Sequence, residues 1–241
     1  MIRVFTGLLC ILALAVTLNA NVEKTIFLGP SPLTLPNVDH NSNLFSLDTL
    51  NIEILDPHHL YILPTRLPVR FPTETTPHGR DSWYLIRGLD DGRRYEVRIC
   101  WPATQPTDFW LDTFTLATVS NSPHLAHSVI SFNLSYPQTR QHLGLKEPEH
   151  PMNALSTSLL FLRVQAAASY FTTNQTLMRE PPPVHVDIIL DPFVLNILPR
   201  SLGPTVVYIV LVSIFSWFIS SSVYRWLLSI ANEEPPKAHR E

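Results

Sequence analysis

The sequence predicts an all-β domain followed by one C-terminal transmembrane helix. Many short segments alternate apolar and polar residues with a period of two, which is typical of antiparallel sheets with one buried face. The 241-residue chain has 22 Pro and 7 Gly, and this much proline disfavours long helices and suits short strands joined by stiff loops. One late segment is uncharged and strongly apolar over about twenty residues, which is enough to cross a bilayer.

Residues 1–20 predict a secretory signal peptide. They contain Arg3, then an apolar run that begins near Val4, and they end in the small residue Ala20. This order is that of a signal sequence that is cleaved after a small residue. A retained N-terminal anchor is the alternative, but the polar residues around the end of the run favour removal.

Residues 204–225 are the predicted transmembrane helix. Their central part, TVVYIVLVSIFSWFISSSVY, carries no charge. About twenty helical residues at 1.5 Å each match a hydrocarbon layer of about 30 Å. Pro204 suits the first helical turn. The segment WLLSIA that follows either extends a tilted span to residue 231 or lies along the membrane interface.

Basic residues determine the expected orientation of this span. Arg200 is the nearest cation before it, whereas Arg225 and two further basic residues of the tail follow it. The positive-inside rule therefore predicts a cytosolic tail, residues 232–241, and a lumenal domain, residues 21–203. The sequence thus predicts a single-pass type I membrane protein.

The lumenal domain is predicted to be a β-sandwich of antiparallel sheets. RYEVRICW and VHVDIIL each place apolar side chains on one face, namely Tyr95, Val97, Ile99, Trp101, Val184, Val186, Ile188 and Leu190. Further candidate strands are residues 25–28, 50–55, 60–63, 82–87, 109–119 and 158–170, the last with alanines that would also suit a helix. SVISFNLSY predicts another half-buried strand, with Ile130, Phe132 and Leu134 inward and Asn133 in solvent.

The segment WYLIRGLDDGRRYEVRICW is more specific. A strand ends at a Gly-Leu pair, Asp-Asp-Gly forms a turn, and Tyr95 opens the next strand. This arrangement resembles the corner between strands E and F of fibronectin type III and related immunoglobulin-like sandwiches, where a tyrosine near the strand start ties the corner. A simple hairpin with an Asp-Gly turn would look similar, so both interpretations stay open.

Two sequons predict N-linked glycosylation, at Asn133 and at Asn174, whereas Asn121 is excluded by the proline two residues on. The two cysteines are Cys10, which is lost with the signal peptide, and Cys100. One lumenal cysteine cannot form an internal disulfide. The domain is therefore expected to be held together by packing alone.

No pattern of catalytic or cofactor-binding residues is found in the sequence. It has no Gly-rich phosphate loop, no nucleophile elbow and no His-Glu-x-x-His helix. Asp108 and Asp112 would lie about 13 Å apart in a strand, too far for a usual catalytic pair. His58 and His59 would point to opposite faces of a strand, which disfavours one shared metal ion. We therefore expect no enzyme activity, cofactor or metal, and the net charge of −3 disfavours a nucleic-acid partner.

The predicted span has a stripe of small polar residues. Ser213, Ser216 and Ser220 follow the spacing i, i+3, i+7 and share one helix face. Such a stripe lets a second helix approach closely and hydrogen-bond across the contact. The alternative is that each serine bonds only to its own helix. Helix packing would indicate a multi-spanning membrane protein as the partner.

Two blocks resemble a known family: NVEKTIFLGP, at the start of the mature chain, and SWYLIRGLDDGRRYEVRICWPATQPT. Together with the order signal peptide, domain, span and short tail, they resemble the fungal non-catalytic subunit of GPI mannosyltransferase II. The resemblance implies an endoplasmic reticulum protein that binds and stabilises a multi-spanning enzyme, which adds the second mannose in GPI-anchor biosynthesis. It transfers no catalytic residues to this chain.

Two other functions fit the same layout and stay open. The stabilising subunit of GPI mannosyltransferase I is the first, and a cell-surface β-sandwich adhesion or receptor module is the second. A short tail without signalling motifs disfavours the receptor. A lumenal enzyme would need a catalytic constellation that the sequence lacks.

The last five residues, KAHRE, predict a retrieval signal to the endoplasmic reticulum. Dilysine signals read by the vesicle coat place one lysine fifth and one third from the end. Here Lys237 is fifth and His239 is third, and histidine is only partly charged near neutral pH. A polar tail with incidental basic residues is the alternative.

Overall fold

A computed structural model describes residues 21–32, 50, 52–135 and 158–231. The predicted signal peptide and the retrieval residues Lys237 and His239 lie outside these described residues. The chain divides into two compact units, one ending at Phe193 and the other beginning at Val194. Each unit is described below by itself.

The first unit is built mainly from strands. Its strands are β1 (Val22–Leu28), β2 (Ile54–Leu55), β3 (Ile62–Leu67), β4 (Arg80–Arg87), β5 (Arg94–Cys100), β6 (Thr107–Thr115), β7 (Leu159–Ala168) and β8 (Val184–Val194). One sheet has the order β1-β5-β8-β3, and the other has the order β2-β4-β7-β6. The predicted class, mostly β with antiparallel sheets, is confirmed.

One hydrophobic cluster takes its side chains from both sheets. Val97 and Ile99 of β5 and Ile188 of β8 come from the first sheet, while Ile86 of β4 and Leu162 of β7 come from the second. All five are fully buried. The period-two pattern that predicted β5 and β8 is therefore confirmed as a division between one buried face and one outer face.

One pairing departs from the antiparallel prediction. The short strand β2 pairs with β4 in parallel, with Ile54 opposite Leu85. The pairings β4–β7 and β6–β7 in the same sheet are antiparallel. The sheet is therefore mixed, with its parallel strand at the edge, and a period-two pattern cannot reveal strand direction because it is the same in both arrangements.

The strand predicted in SVISFNLSY is wrong, because residues 128–135 belong to a helix. Helix α1 (Leu116–Asn121) and helix α2 (Pro123–Ser135) follow β6 directly. The first residue of α2 is Pro123, which has no backbone N–H group. This costs little, because the first N–H groups of a helix have no partner within it. Ala126, Val129 and Phe132 are the buried residues of α2, a spacing of three that belongs to a helix. Leu134, predicted to face inward, is 80% exposed.

The strand predicted over residues 109–119 is correct only for its first part. Strand β6 ends at Thr115, whose hydroxyl accepts a hydrogen bond from the backbone N–H of Thr118 and so caps α1. Threonine at this position satisfies one of the free donors of a helix start. Val119 is also buried, but as a residue of helix α1. The apolar pattern therefore shows no break where the strand ends at Thr115.

Helices α1 and α2 cover part of the outer face of the second sheet. Val129 and Phe132 of α2 pack with Trp83 of β4 and Phe161 of β7 in a second hydrophobic cluster. The short helix α3 (Gln175–Arg179) lies in the connection between β7 and β8. The outer face of this sheet is therefore partly covered, which explains why Trp83 is fully buried.

The second unit holds the apolar helix. It contains the short strand β9 (Leu198–Pro199), a 3-10 turn (Arg200–Leu202) and helix α4 (Gly203–Ala231). The helix predicted at residues 204–225 is present, and its continuation through WLLSIA is helical as well. By length and composition, residues Arg200–Ala231 could cross a membrane.

Candidate functional site

A hydrogen-bonded corner joins β4 of one sheet to β5 of the other. The backbone N–H of Asp90 donates to Tyr95 Oη at 2.9 Å, and the Tyr95 hydroxyl lies 3.4 Å from the Asp90 carboxylate. Arg93 Nη1 donates to the same carboxylate at 2.8 Å. The Tyr95 ring is 1% exposed. The side chain predicted to tie the corner does so through its hydroxyl, while its ring packs into the core.

The corner is not a hairpin. A simple hairpin would pair β4 with β5, whereas β4 pairs with β7 and β5 pairs with β1 and β8. The hairpin alternative is therefore wrong. Gly88 and Gly92 have φ of 70° and 67°, values that glycine adopts without strain, so the chain can turn sharply between the two sheets.

Ionisable groups of the corner respond to their neighbours. The hydrogen bond from Arg93 is the main cause that lowers the pKa of the Asp90 carboxyl, and burial is the main cause that raises the pKa of the Tyr95 hydroxyl. Asp90 is therefore an anion and Tyr95 a neutral donor at physiological pH. This arrangement suits a structural tie rather than proton transfer.

The N-terminal block NVEKTIFLGP packs against this corner. Strand β1 pairs with β5 along its whole length, from Val22 opposite Cys100 to Leu28 opposite Arg94. Beyond it, Gly29 N–H donates to the Arg93 carbonyl at 2.8 Å. A Cβ on Gly29 would lie 2.1 Å from the Asp90 carbonyl oxygen. The two blocks of sequence that suggested the family are thus neighbours in space.

The outer face of the first sheet carries a charge network. Glu96 lies 3.3 Å from Lys24 and 3.7 Å from Arg98, and Arg98 lies 3.9 Å from Asp191. Glu96 and Asp191 are 4% and 6% exposed. The predicted polar face of β5 is therefore partly buried, and its carboxylates are tolerated there because cations accompany them.

A groove of about 550 Å³ opens on the same sheet. It is lined by Pro64, Thr65 and Arg66 of β3, by Cys100 and the following Trp101 and Pro102, and by His185, Val186 and Asp187 of β8. Gln105 fixes one side, since its Oε1 accepts a hydrogen bond from the His185 backbone N–H at 3.0 Å. The lining combines an aromatic ring with donors and acceptors, and a groove of this size can bind a small polar ligand or a peptide side chain.

The thiol in this groove is not activated. Burial raises the pKa of Cys100, and the nearby Asp187 carboxylate adds to that effect against the opposing charge of Arg98. Because the thiolate is the reactive form, a raised pKa disfavours nucleophilic catalysis. Among the residues that the structure describes, no group of three His, Cys, Asp or Glu side chains could hold a metal ion.

Comparison with known proteins bears on the region that contains the corner. A sequence model of the Pga1 family, described as GPI-Mannosyltransferase II co-activator, matches residues 67–142. A GPI mannosyltransferase 2 subunit of Schizosaccharomyces pombe is 19% identical over 186 residues, which cover 77% of this chain and 80% of the relative. The resemblance to this subunit family is confirmed. No solved structure matches the chain.

The region matched by the family model covers a continuous set of structural elements. Residues 67–142 include β4, the corner, β5, β6 and the described part of the helical layer. The corner with Tyr95 lies well inside this range. The longer alignment with the Schizosaccharomyces pombe subunit extends the similarity beyond this range, over 186 residues.

The two predicted glycosylation sites lie in different settings. Asn174 is exposed and begins helix α3, where its Oδ1 accepts a hydrogen bond from the Thr176 backbone N–H at 3.0 Å. Asn133 lies in the last turn of α2 and is partly buried. Its expected position on the exposed face of a strand is wrong, because the segment is helical.

The three serines of the predicted packing stripe lie on α4 and are exposed in the single chain. The Ser213 hydroxyl donates to the Ile209 carbonyl of its own helix at 2.8 Å. This contact is the self-bonding alternative for Ser213. Ser216 and Ser220 share the helix face with it.

Sequence reasoning missed the groove and the charge network. The groove brings together residues from β3, β5 and β8, which are far apart in sequence, and only strand order makes them neighbours. Alternation along β5 did assign Glu96 to the outer face. It could not show that Lys24 of β1 and Asp191 of β8 would flank that strand.

Proposed function

We propose that this chain is a non-catalytic, single-pass subunit of GPI mannosyltransferase II that binds and stabilises the enzyme adding the second mannose in GPI-anchor biosynthesis. The observation that carries the proposal is the similarity to a GPI mannosyltransferase 2 subunit over 77% of the chain and 80% of that relative. The co-activator description of the family that matches residues 67–142 agrees with it. Neither comparison favours the enzyme I subunit or the adhesion module.

The role is structural in this proposal, not catalytic. In the described residues, the thiol of Cys100 has a raised pKa, and the ionisable side chains of the corner hold each other in a tie. Asp112, one of the two aspartates considered for acid–base work, is paired with Arg163 on the neighbouring strand at 2.6 Å. These contacts support a domain built for packing and binding.

The proposed topology is a type I protein of the endoplasmic reticulum. Residues 1–20 are removed as a signal peptide, residues 21–203 face the lumen, α4 spans the membrane, and residues 232–241 face the cytosol. The apolar composition of α4 and the cations that follow it support this arrangement. Lys237 and His239 then act as the retrieval signal that the vesicle coat reads.

We further propose that the lumenal domain is a β-sandwich of the fibronectin type III kind. The shared hydrophobic cluster between two sheets and the crossing corner tied by Tyr95 support this finer assignment. The mixed sheet with its parallel β2 is a departure from the fibronectin pattern that is specific to this chain.

Depletion of the chain tests the function directly. Cells that lose the protein should accumulate a GPI intermediate with a single mannose, because the second mannosyltransferase loses its stabilising subunit. The measurement is separation of radiolabelled GPI lipids by chromatography. Normal anchor synthesis after depletion would refute the assignment, and accumulation of an intermediate without mannose would indicate enzyme I instead.

The serine stripe can be tested in the same complex. Replacing Ser213, Ser216 and Ser220 together by Leu should reduce co-purification of the multi-spanning catalytic subunit from mild detergent, because bulky side chains prevent close helix approach. Ser222→Leu is the matched control, since position 222 lies on the opposite side of the helix. Equal recovery of the catalytic subunit with both variants would exclude packing through this stripe.

The retrieval signal has its own test. Lys237→Ala should let the protein reach the Golgi, which would be measured as a shift from endoplasmic reticulum to Golgi membranes in subcellular fractionation. Residence that does not change would mean that the partner, rather than the tail, retains the protein.

A further inference from the structure

An exposed apolar turn directly precedes the helix α4. The residues Val194–Ile197 form the turn, which is closed by a hydrogen bond from the Ile197 N–H to the Val194 carbonyl at 3.1 Å. Leu195 and Asn196 have φ of 53° and 57°, the pattern of a type I′ turn with two left-handed central residues. Below, these four residues are called the apolar turn.

The apolar turn exposes two large hydrophobic side chains almost completely. Leu195 is 85% exposed and Ile197 is 75% exposed. In the described residues, only Leu134 and Phe171 match them among large apolar side chains, at 80% and 85%. Two of the four most exposed apolar side chains thus lie within three residues of each other.

The backbone of the turn makes this exposure costly. Asn and Gly are the residues that adopt left-handed conformations most readily, whereas leucine pays a steric penalty there. Asn196 fits that preference, but Leu195 does not. Within the described residues this leucine is strained and directed into solvent, so a contact that stabilises it would be made outside them.

The position of the turn indicates what that contact is. From Ile197 to Gly203 the chain passes through the two residues of β9 and one 3-10 turn, a path of about 13 Å at 3.3 Å and 2.0 Å per residue. The uncharged stretch from Pro204 to Tyr224 matches the hydrocarbon layer. The turn therefore lies within reach of the interfacial layer, into which apolar groups commonly insert by about 5–10 Å.

We propose that the apolar turn inserts into the lumenal membrane interface and is a lipid-contacting anchor beside the transmembrane helix. Leu195 and Ile197 contact the boundary between head groups and acyl chains. Arg200, which is exposed between the turn and the helix, lies at the level of the lipid phosphates. The proposal rests on the proposed membrane span but not on the identity of the enzyme partner.

Site-directed fluorescence on the full chain in phosphatidylcholine vesicles tests the proposal. An environment-sensitive fluorophore is attached to Leu195→Cys or Ile197→Cys in a Cys100→Ser background, and Phe171→Cys is the control with equal exposure. We expect a blue-shifted emission at 195 and 197, quenching by brominated lipid, and at least a fivefold lower quenching constant for aqueous iodide than at 171. Equal iodide quenching at the three positions would overturn the proposal.

Two further measurements separate the alternatives. Vesicle flotation of the same samples reports whether the span is inserted, so failure of the span is distinguished from failure of the anchor. If positions 195 and 197 become shielded from iodide only after the catalytic subunit is added, the turn contacts protein and the lipid proposal is wrong. Leu195→Asn, which suits the left-handed backbone, should raise iodide quenching at Ile197→Cys without loss of flotation.

Discussion

At the scale of single residues, Tyr95 has the clearest structural role. Its ring packs in the cluster shared by the two sheets and stacks on Phe27 with ring centroids 5.9 Å apart. Its hydroxyl holds the Asp90 backbone. One side chain therefore links β1, the corner and β5, and its position in sequence was predictable because an aromatic residue after a turn is a recognised tie.

Replacing Tyr95 by Phe should lower the free energy of unfolding by about 1 kcal/mol, since the buried ring stays and one hydrogen bond is lost. Denaturant unfolding of the full chain in detergent, followed by tryptophan fluorescence, measures this. Tyr61→Phe is the control, because Tyr61 is 53% exposed and should change stability by less than about 0.5 kcal/mol. Equal effects of the two variants would show that the corner bond does not stabilise the domain.

Cys100 yields a prediction about reactivity. Because the folded chain raises its thiol pKa, the thiolate fraction at pH 8 is smaller than in the unfolded chain, and alkylation by iodoacetamide should be slower in the native protein. The native rate should rise as pH increases beyond the usual pKa of 9.0. Mass spectrometry of the Cys100 peptide, with and without urea, measures both rates. Faster labelling of the native thiol at pH 8 would contradict the absence of an activated cysteine.

At the scale of elements, α2 is attached to the second sheet by one serine as well as by packing. The Ser128 hydroxyl donates to Asp81 Oδ2 at 2.7 Å and accepts from Trp83 Nε1 at 3.0 Å. Gln165 Nε2 donates to the other oxygen of Asp81 at 2.9 Å. The indole of Trp83 is fully buried, so this serine provides the acceptor that a buried N–H group requires.

Ser128→Ala should destabilise the domain by about 1–3 kcal/mol, because it leaves the indole N–H of Trp83 without its acceptor. Ser131→Ala, on an exposed position of the same helix, is the matched control. It makes the same change in helix propensity, so the difference between the two variants reports the contact of Ser128 with the sheet. The unfolding midpoint in urea is the measurement. A loss of stability for Ser131→Ala as large as for Ser128→Ala would mean that the bridge to the sheet is not the cause.

The same helix shows where alternation misleads. In SVISFNLSY the apolar residues fit a strand with a buried face, yet Ile130 and Leu134 are 37% and 80% exposed in the helix. Short apolar runs fit both periods, and the choice depends on what the segment packs against. Proline at residue 123 and a serine before it were start signals for a helix that outweigh the alternation.

At the scale of the whole molecule, the proposed function depends on both units and on their orientation relative to a membrane. The first unit offers a groove, a charge network and two sequons, and the second offers a helix long enough to cross a bilayer. The proposed accessory role needs both parts, since a binding surface without a membrane helix would not be concentrated at the membrane where the proposed partner lies.

Glycosylation tests this topology. In the proposed orientation, Asn174→Gln should remove one endoglycosidase-sensitive mobility step, because Asn174 is exposed and would face the lumen. Asn121→Gln is the control and should leave the mobility unchanged, since Pro123 occupies the position where a sequon requires serine or threonine. Electrophoresis before and after endoglycosidase treatment is the measurement. If the wild-type chain and all variants carry no glycan, the lumenal assignment loses its main biochemical support.

The amino-acid sequence by itself determined the strands with a clear period of two, the apolar helix and the family resemblance. These features are local: side-chain alternation, hydrophobic length and short blocks of residues follow from positions that are adjacent along the chain. Strand β5 was therefore predicted to within one residue, and β8 was predicted over its first seven residues. Helix α4 was predicted over residues 204–225, and the possible extension to residue 231 is helical as well. The role of Tyr95 was predictable too, because its partner Asp90 is five residues away.

Only the tertiary structure decided what depends on residues far apart in sequence. The sheet order brings Lys24 beside Glu96 and Asp187 beside Cys100. The sheet that α2 packs on decides that residues 128–135 are helical. The parallel pairing of β2 with β4 belongs to the same class. In each case the free energy of packing against a distant segment outweighs the local preference, and a local pattern does not contain that information.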